Sequence, residues 1–491
     1  MSDLEQSLQA AAEVVGADRV VTPSGPDELT LGPNVSVFPS RSVAGIIRPR
    51  TADEVCRVVE IFGRSPEAGS LHPYSTGRNW GLGTREPVMP GAIALDLGDL
   101  DAVRAIDVEA GWAVIEPGVT QLQLADLLDG TERMLNVTVS AARTSVIGNA
   151  LDRGVGLRHQ RVHDLVGLEL ACADGTMRRV GWWPDPEVAT PVYPYGLGPS
   201  ALQLFVQSDL AVVTAATVRL LPRPEALRVI RLNFVPEQLA AATDVLHRWV
   251  GQGLLHGVLK VYNPAAARGY GTLHPDHFLV HACVDGTAAA VEALTGVVVE
   301  EARRSGVFSA VSATDATDEG PGREVATLVE RSYAGDPDRN DTIFEMKLGR
   351  PADQIDEHVG FLFFLPLVPF RGAAVVHADR LLNEVGEATG VRFGATLHAL
   401  NSDVVDLVVS MKYERKDAAA PHKALDLLYE SFTAAGFRPY RLDVDHTDWF
   451  ERLGADRELL SRFKTLLDPH QAIAPGRYSV TTTPPRKGVR S

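Results

Sequence analysis

Three observations predict an α+β fold. Short strand-like and helix-like runs are mixed rather than strictly alternating, which argues against a wound parallel sheet. Asp174-Gly175 separates two strand-like runs, 165–173 and 176–180, and Asp-Gly supplies the positive φ angles of a tight antiparallel hairpin. The Pro-rich LLPRP at 220–224 marks a change of rhythm, so a second unit begins there.

The elements follow in order. Residues 4–15 have helical character, and a Pro/Gly-rich connector runs to about residue 40. Thr51 and Glu54 have capping-box spacing, and Val55, Val58, Val59 and Phe62 recur at helical intervals, predicting an amphipathic helix over 52–64. Strands are expected at 71–75, 92–97, 102–107 and 112–116. Thr120 is placed to cap a helix over 121–128. A short helix and a strand are expected within 201–221, then a strand at 227–235, a helix at 236–250 and further β-α units to about 435. The polar, Asp/Gly-rich stretch 311–340 is expected to be a surface excursion. A last helix, 457–467, is stopped by Asp468-Pro469, because the residue before proline disfavours helical geometry. The tail after Tyr478 is expected to be loose.

Composition narrows the function. A chain of 491 residues with 45% hydrophobic side chains has room for two to four structural units with real cores. Its 47 basic and 63 acidic residues give a net charge of −16, which argues against coating nucleic acid. Three cysteines form no disulfide framework and no CxxC zinc pair. The opening residues lack a basic n-region, and the apolar run 361–370 is broken by Pro366 and Pro369 and too short for a bilayer. A soluble, reduced, cytoplasmic enzyme is expected, without membrane or nucleic-acid partners.

The familiar signatures of other chemistries are missing. The chain has no GxGxxG after a strand, no P-loop, no GxSxG and no HExxH. His274 and His277 stand in a polar loop without a third ligand in view, so no metal is expected. What stands out is Ser75-Thr76-Gly77-Arg78-Asn79-Trp80-Gly81-Leu82-Gly83, directly after a strand. Backbone N–H groups in such a loop can form a concave nest for anionic oxygens, and glycine admits close approach. Ser145 to Gly156, Glu116-Pro117-Gly118-Val119 and Ile473 to Tyr478 are weaker segments of the same kind. Four of them point to a large, anionic, multi-part ligand such as an extended dinucleotide.

Together the segments STGRNWGLG (75–83), IEPGVT (115–120), VIGNALDRGVG (146–156), GLELACADGTMRRVG (167–181), YGLGPSALQLFVQSDLAVVT (195–214) and IAPGR (473–477) resemble the vanillyl-alcohol oxidase/p-cresol methylhydroxylase flavoprotein superfamily, in its order and spacing. The resemblance implies a two-domain fold: an FAD domain over 1–223 (core about 42–223), an antiparallel-sheet cap over 224–438, and a segment 439–491 returning to the FAD domain. GFLFFLPLVPFRG (360–372) looks like the matching cap strand. It also implies FAD held by Ser75, Thr76, Gly77, Arg78, Asn79, Gly118, Ser145, Gly148, Asn149, Arg153, Gly154 and Arg477. The implied activity is transfer of hydride from a small organic alcohol, phenol or secondary metabolite to flavin N5. Reduced flavin would pass electrons to oxygen or another acceptor, and a homodimer is possible in such a family.

Departures from the family bear on chemistry. The cap-strand position that carries a covalent His in some relatives is Phe361, and the loop position used in other branches falls at Arg78-Asn79, with His72 one strand earlier. Non-covalent FAD is therefore expected. Tyr440 and Arg441 match one Tyr and the Arg that hold phenolate in relatives, but the second Tyr is Leu82. A phenol of pKa about 10 needs roughly 4 kcal/mol of help to ionise at pH 7, and one hydrogen bond to a charged partner gives about 1.5–3 kcal/mol. The acid that relatives place near the flavin falls in a shortened loop, 157–164, where His159, His163 and Asp164 are candidate bases. Tyr440, Arg441 and His163 are the expected catalytic residues, with Tyr262, Glu345, Lys347 and His398 as further cap candidates. The same motifs also admit a flavin-binding scaffold or an oxidative cyclase.

Overall fold

The computed structural model describes residues 2–23, 28–314, 323–338, 340–454 and 456–478. The α+β architecture is the one expected. Helix Asp3–Val15 is closed at its start by a Ser2/Glu5 capping box, and helix Ala52–Gly63 by Thr51, whose hydroxyl accepts from Glu54 N–H at 3.1 Å. The Glu54 carboxylate accepts from Arg50 N–H rather than Thr51 N–H, so only half of the second box forms. Both helices pack on a four-stranded sheet ordered Val20–Val21, Gly45–Ile47, Ile93–Asp96, Leu71–Tyr74.

A five-stranded antiparallel sheet follows, ordered Val103–Asp107, Trp112–Ile115, Val212–Arg219, Leu165–Ala171, Met177–Gly181. The Asp-Gly hairpin is present: Gly175 has φ +78°, and the Asp174 carboxylate accepts from Thr176 N–H at 3.0 Å. After the proline break, an eight-stranded antiparallel sheet runs Ala310–Thr314, Ala226–Phe234, Phe278–Gly286, Lys260–Tyr262, Gly394–Ala399, Val404–Tyr413, Gly360–Phe364, with Leu367–Pro369 also on Val404–Tyr413. Helices Leu239–Gly251, Ala288–Ser305, Gly372–Thr389 and Ala419–Ala434 bury Trp249, Val298, Ala378 and Leu428 in the core this sheet shares.

One expectation is corrected. The stretch 311–340 is not only a surface excursion: helix Arg323–Tyr333 buries Tyr333 completely, and its hydroxyl donates to Val258 O at 2.6 Å. Asn340 is fully buried and donates to Thr138 O at 2.8 Å, so apolar and amide contacts fix its end over the loop 138–142. Residues 315–322 lie outside the described residues, as does the tail after Tyr478.

The chain end closes on the first sheet. Helix Arg457–Leu467 ends at Asp468, as expected, and Ala472–Ala474 run beside Leu71, with Leu71 N–H donating to Ala472 O and Ala474 N–H to Leu71 O. The buried Lys464 ammonium donates to Asp209 O, Ile473 O and Asp468 Oδ2, while Asp468 also accepts from Ala472 and Ile473 N–H. Removing one member of such a group leaves a buried charge or amide unpaired. Asp468→Ala should therefore lose on the order of 3 kcal/mol of stability, read by denaturant titration.

His446 makes a second, pH-dependent anchor. Its ring stacks on Tyr429 at 4.0 Å and lies between Asp443 (Nδ1, 2.9 Å) and Asp426 (Nε2, 3.0 Å). Burial opposes the charged ring, but the two carboxylates win and push it up from 6.5 to about 10. A raised folded-state value contributes stability that is complete below about 6.5 and lost as pH rises through about 10. Urea titrations across that window should show stability falling with pH, and His446→Gln should be less stable at the acidic end and flatter across the window.

Candidate functional site

One cavity of about 340 Å³ joins the two sheet systems to the chain end. Its floor is the loop leaving strand Leu71–Tyr74, so Ser75, Thr76, Gly77, Arg78 and Asn79 all line it. Gly77 takes φ +67°, a conformation that side chains disfavour. Ser145, Gly148 and Asn149 line the adjacent wall. The Ser145 hydroxyl caps helix Val146–Leu151 by accepting from Gly148 N–H at 2.9 Å, and it donates to Pro117 O at 2.6 Å. A Cβ on Gly148 would stand 2.6 Å from Ser75 Oγ, so glycine is what lets the loop and helix meet.

The cap encloses the other end. Phe363 N–H donates to Gly81 O at 3.0 Å, and a Cβ on Gly81 would lie 2.5 Å from the Phe363 ring. Lys260, Phe344, Phe363, Leu365, His398, Asp406 and Val408 complete this wall, and Tyr440, Arg441 and Arg477 return from the chain end.

Asp152 organises the charge. Arg441 donates to its Oδ2 from Nη2 (2.5 Å) and Nε (3.1 Å), Asn79 donates at 2.9 Å and Tyr478 OH donates to Oδ1 at 3.2 Å. Arg477 stands 3.8 Å away. Burial pushes the Asp152 carboxyl up, but Arg441 and Arg477 outweigh it and hold it below the usual carboxylate range. At the cap wall, burial and then Lys347 pull Lys260 down to about 7, and burial lifts Asp406 to about 7 against Tyr440, Arg441 and Lys260. Tyr440 OH donates to Asp406 Oδ2 at 3.1 Å. Burial and Arg477 lower His72 to about 4, so its ring is neutral, 3.3 Å from Thr84 O.

The residues expected from sequence divide clearly. Ser75–Asn79, Ser145, Gly148, Asn149, Arg477, Tyr440 and Arg441 meet at the cavity. Gly118 serves a backbone crossing instead: a Cβ there would stand 2.3 Å from Gly98 O. Gly154 packs on Asn149, and Arg153 (φ +53°) lines a neighbouring cavity of about 330 Å³. His163 is exposed on the turn Arg161–Asp164, which turns Arg161, Val162 and Asp164 inward and His163 outward. Asp164 is taken by His159 at 2.6 Å. Of the further cap candidates only His398 lines the cavity; Tyr262 is buried against Tyr270 and His281, Glu345 is exposed, and Lys347 lies over the Phe361 and Phe363 rings. Phe361 itself is buried outside the cavity lining. Sequence reasoning missed Asp152, Lys260 and Asp406. A signal existed for the last two, since LKVY and VVDLVV each place one charge in an apolar strand run.

The lining fits a large polar occupant such as FAD. Thr144 Oγ1, Asn149 Oδ1, His398 Nδ1, Asp406 Oδ1 and Arg477 Nη1 are buried polar atoms without a hydrogen-bond partner, and all belong to cavity residues. Unpaired buried polar atoms are costly, so their concentration here marks a surface built for a ligand. Residues 43–181 match the family described as FAD binding domain. The chain is 27% identical to 1'-carboxy-chondrochloren decarboxylase of Chondromyces crocatus, covering 97% of each. It is 24% identical to the 4-cresol dehydrogenase [hydroxylating] flavoprotein subunit of Pseudomonas putida, over 97% of this chain and 96% of that one. The fold matches a crystal structure of p-cresol methylhydroxylase with substrate bound at a TM-score of 0.85 and 21% identity, covering 97% and 96% of the chains.

The Asp152–Arg441 pair is testable. Asp152→Ala should cost about 3–5 kcal/mol by leaving the Arg441 charge buried and uncompensated, while Asp152→Ala/Arg441→Met should recover part of that loss in denaturant titrations.

Proposed function

We propose that this chain, a flavoprotein of the vanillyl-alcohol oxidase/p-cresol methylhydroxylase superfamily by its motifs, its FAD binding domain and its fold, is an FAD-dependent oxidoreductase acting on a small organic alcohol, phenol or secondary metabolite. The observation that carries this reading is a continuous cavity running from the Ser75–Asn79 loop to the cap sheet. Ser75–Asn79, Ser145, Gly148, Asn149 and Arg477 would hold the dinucleotide, which when bound supplies a two-electron acceptor. Phe344, Phe363, Leu365 and Val408 exclude water from the substrate end, which strengthens every polar contact there. Tyr440 and Arg441 border the same end, and the Asp152 carboxylate compensates the Arg441 charge, so Arg441 offers less support to a phenolate than an unpaired guanidinium.

The FAD is non-covalent in this reading. Phe361 has no nucleophilic atom, and Arg78 and Asn79 occupy the loop position. Electrons would leave to oxygen or another acceptor, and the protein would act in the cytoplasm, with a homodimer as one assembly. A second reading, removal of a carboxyl group, is favoured by the name of the 27%-identical relative; product analysis for carbon dioxide separates the two.

The experiment is direct. Acid precipitation of the purified yellow protein should leave the colour in the supernatant, and a yellow pellet would show covalent attachment. Anaerobic addition of hydroxylated aromatic donors should bleach the bound flavin. A fully FAD-loaded protein that no alcohol or phenol reduces would overturn the proposed substrate class.

A further inference from the structure

A polar row crosses the middle of the cap sheet. In the antiparallel register Lys260 stands opposite His398, and His398 opposite Asp406, so three neighbouring strands present these side chains on one face. All three line the cavity. Lys260 is 4% exposed and Asp406 1% exposed. Such groups are ordinarily buried only as pairs. Here the pairing is incomplete: Lys260 is joined to its neighbours through the backbone ladder, while His398 Nδ1 and Asp406 Oδ1 have no hydrogen-bond partner among the described residues. His398 Nδ1 lies 3.7 Å from Asp406 Oδ2, whose own bond comes from Tyr440 OH.

The chemistry of the row selects its ligand. A lysine, an imidazole with an unpaired nitrogen and a carboxylate with an unpaired oxygen, in that order across one sheet face, ask for a group that both accepts and donates. A carboxylate only accepts and would face Asp406. A hydroxyl satisfies both sides. Arg441, the obvious alternative, already commits Nε and Nη2 to Asp152 and Asn79.

We infer that the Lys260–His398–Asp406 row is the receptor for a substrate hydroxyl and that Lys260 takes its proton. The O–H bond breaks, the proton goes to the neutral Lys260 amine, and the oxygen keeps the electron pair as an alkoxide or phenolate beside the new ammonium. Burial and then the Lys347 charge lower Lys260 to about 7 against the pull of Asp406, so a share of the amine is neutral near pH 7. Tyr440 is a positioning residue that fixes the Asp406 carboxyl. The inference rests on the oxidoreductase reading for the class of occupant and moves the proton acceptor from the 157–164 loop to the cap sheet.

The probe is 4-nitrophenol, whose ionised form is coloured and whose neutral form is not. Holoenzyme is titrated near neutral pH, where a large part of the free probe is still un-ionised, and read as a difference spectrum against the free probe and the bound flavin. The wild type should bind the probe and develop the phenolate band. Lys260→Met should bind it about tenfold to a hundredfold more weakly and without that band. Lys260→Gln serves as a second variant, and unchanged flavin content certifies the fold of either. A wild type that binds no probe or only its neutral form, or variants that ionise it as the wild type does, would overturn the inference. The readout needs no turnover, so a protein that no donor reduces sinks the oxidoreductase reading without moving this result.

Discussion

The Asp152 carboxylate is the constraint on which the cavity depends. The Asp152 backbone N–H closes helix Val146–Leu151, and the carboxylate gathers Asn79 from the first loop, Arg441 from the segment after the cap, and Tyr478 and Arg477 from the chain end. These residues are up to 399 positions apart by their numbers, 478 − 79. Burying two guanidinium groups is unfavourable unless a carboxylate neutralises part of their charge. Asp152 does this for both, accepting hydrogen bonds from Arg441 and standing 3.8 Å from Arg477, and thereby fixes where the return segment must sit. Strand-like pairing of Ala472–Ala474 with Leu71 and the Lys464–Asp468 group hold the same segment from the other side. The cavity floor is thus a product of long-range polar contacts laid over ordinary apolar cores.

The same floor explains why an acidic protein can hold an anionic ligand. The −16 net charge is a property of the whole chain. Inside, Arg477, Asn149 and Thr144 line the cavity, and each carries a buried polar atom without a hydrogen-bond partner. In a low-dielectric cavity a few oriented groups outweigh a distant, screened surface. The unpaired atoms are a standing cost to the empty fold, and a ligand that satisfies them turns that cost into affinity.

Local patterns made much of this fold legible in the sequence. The helix over Ala52–Gly63, the Asp174-Gly175 hairpin and the helix stopped at Asp468 each follow from one or two residues with strong conformational preferences. The segment 311–340 did not, because its polar composition hides Tyr333 and Asn340, whose burial depends on partners far away in the chain. The Ser75–Asn79 and Ser145–Asn149 halves of the site were legible because glycine and small hydroxyl residues cluster locally. His163 was not, because a single turn decides which of Arg161, Val162, His163 and Asp164 points inward. Lys260 and Asp406 were visible as charges in apolar strands, but their meaning required the sheet register that places His398 between them.

That register changes how the departures from relatives combine. The resemblance implies that Leu82 stands in place of a tyrosine and that the 157–164 loop is shortened, two changes that would each remove help for ionising a hydroxyl. In the structure, Leu82 is buried and its carbonyl accepts from Val444 N–H, so the position has become part of the packing between loop and chain end. The loop residues that titrate turn to solvent or pair with each other. Arg441 is half neutralised by Asp152. All the losses fall on the FAD-domain side of the cavity, and Lys260, His398 and Asp406 stand on the cap side. A cap sheet that buries two ionisable groups with incomplete hydrogen bonding is less stable than one carrying apolar side chains at the same positions. The stability given up is located on the cavity wall rather than in the packed core, and shifted titratable groups concentrate at that wall.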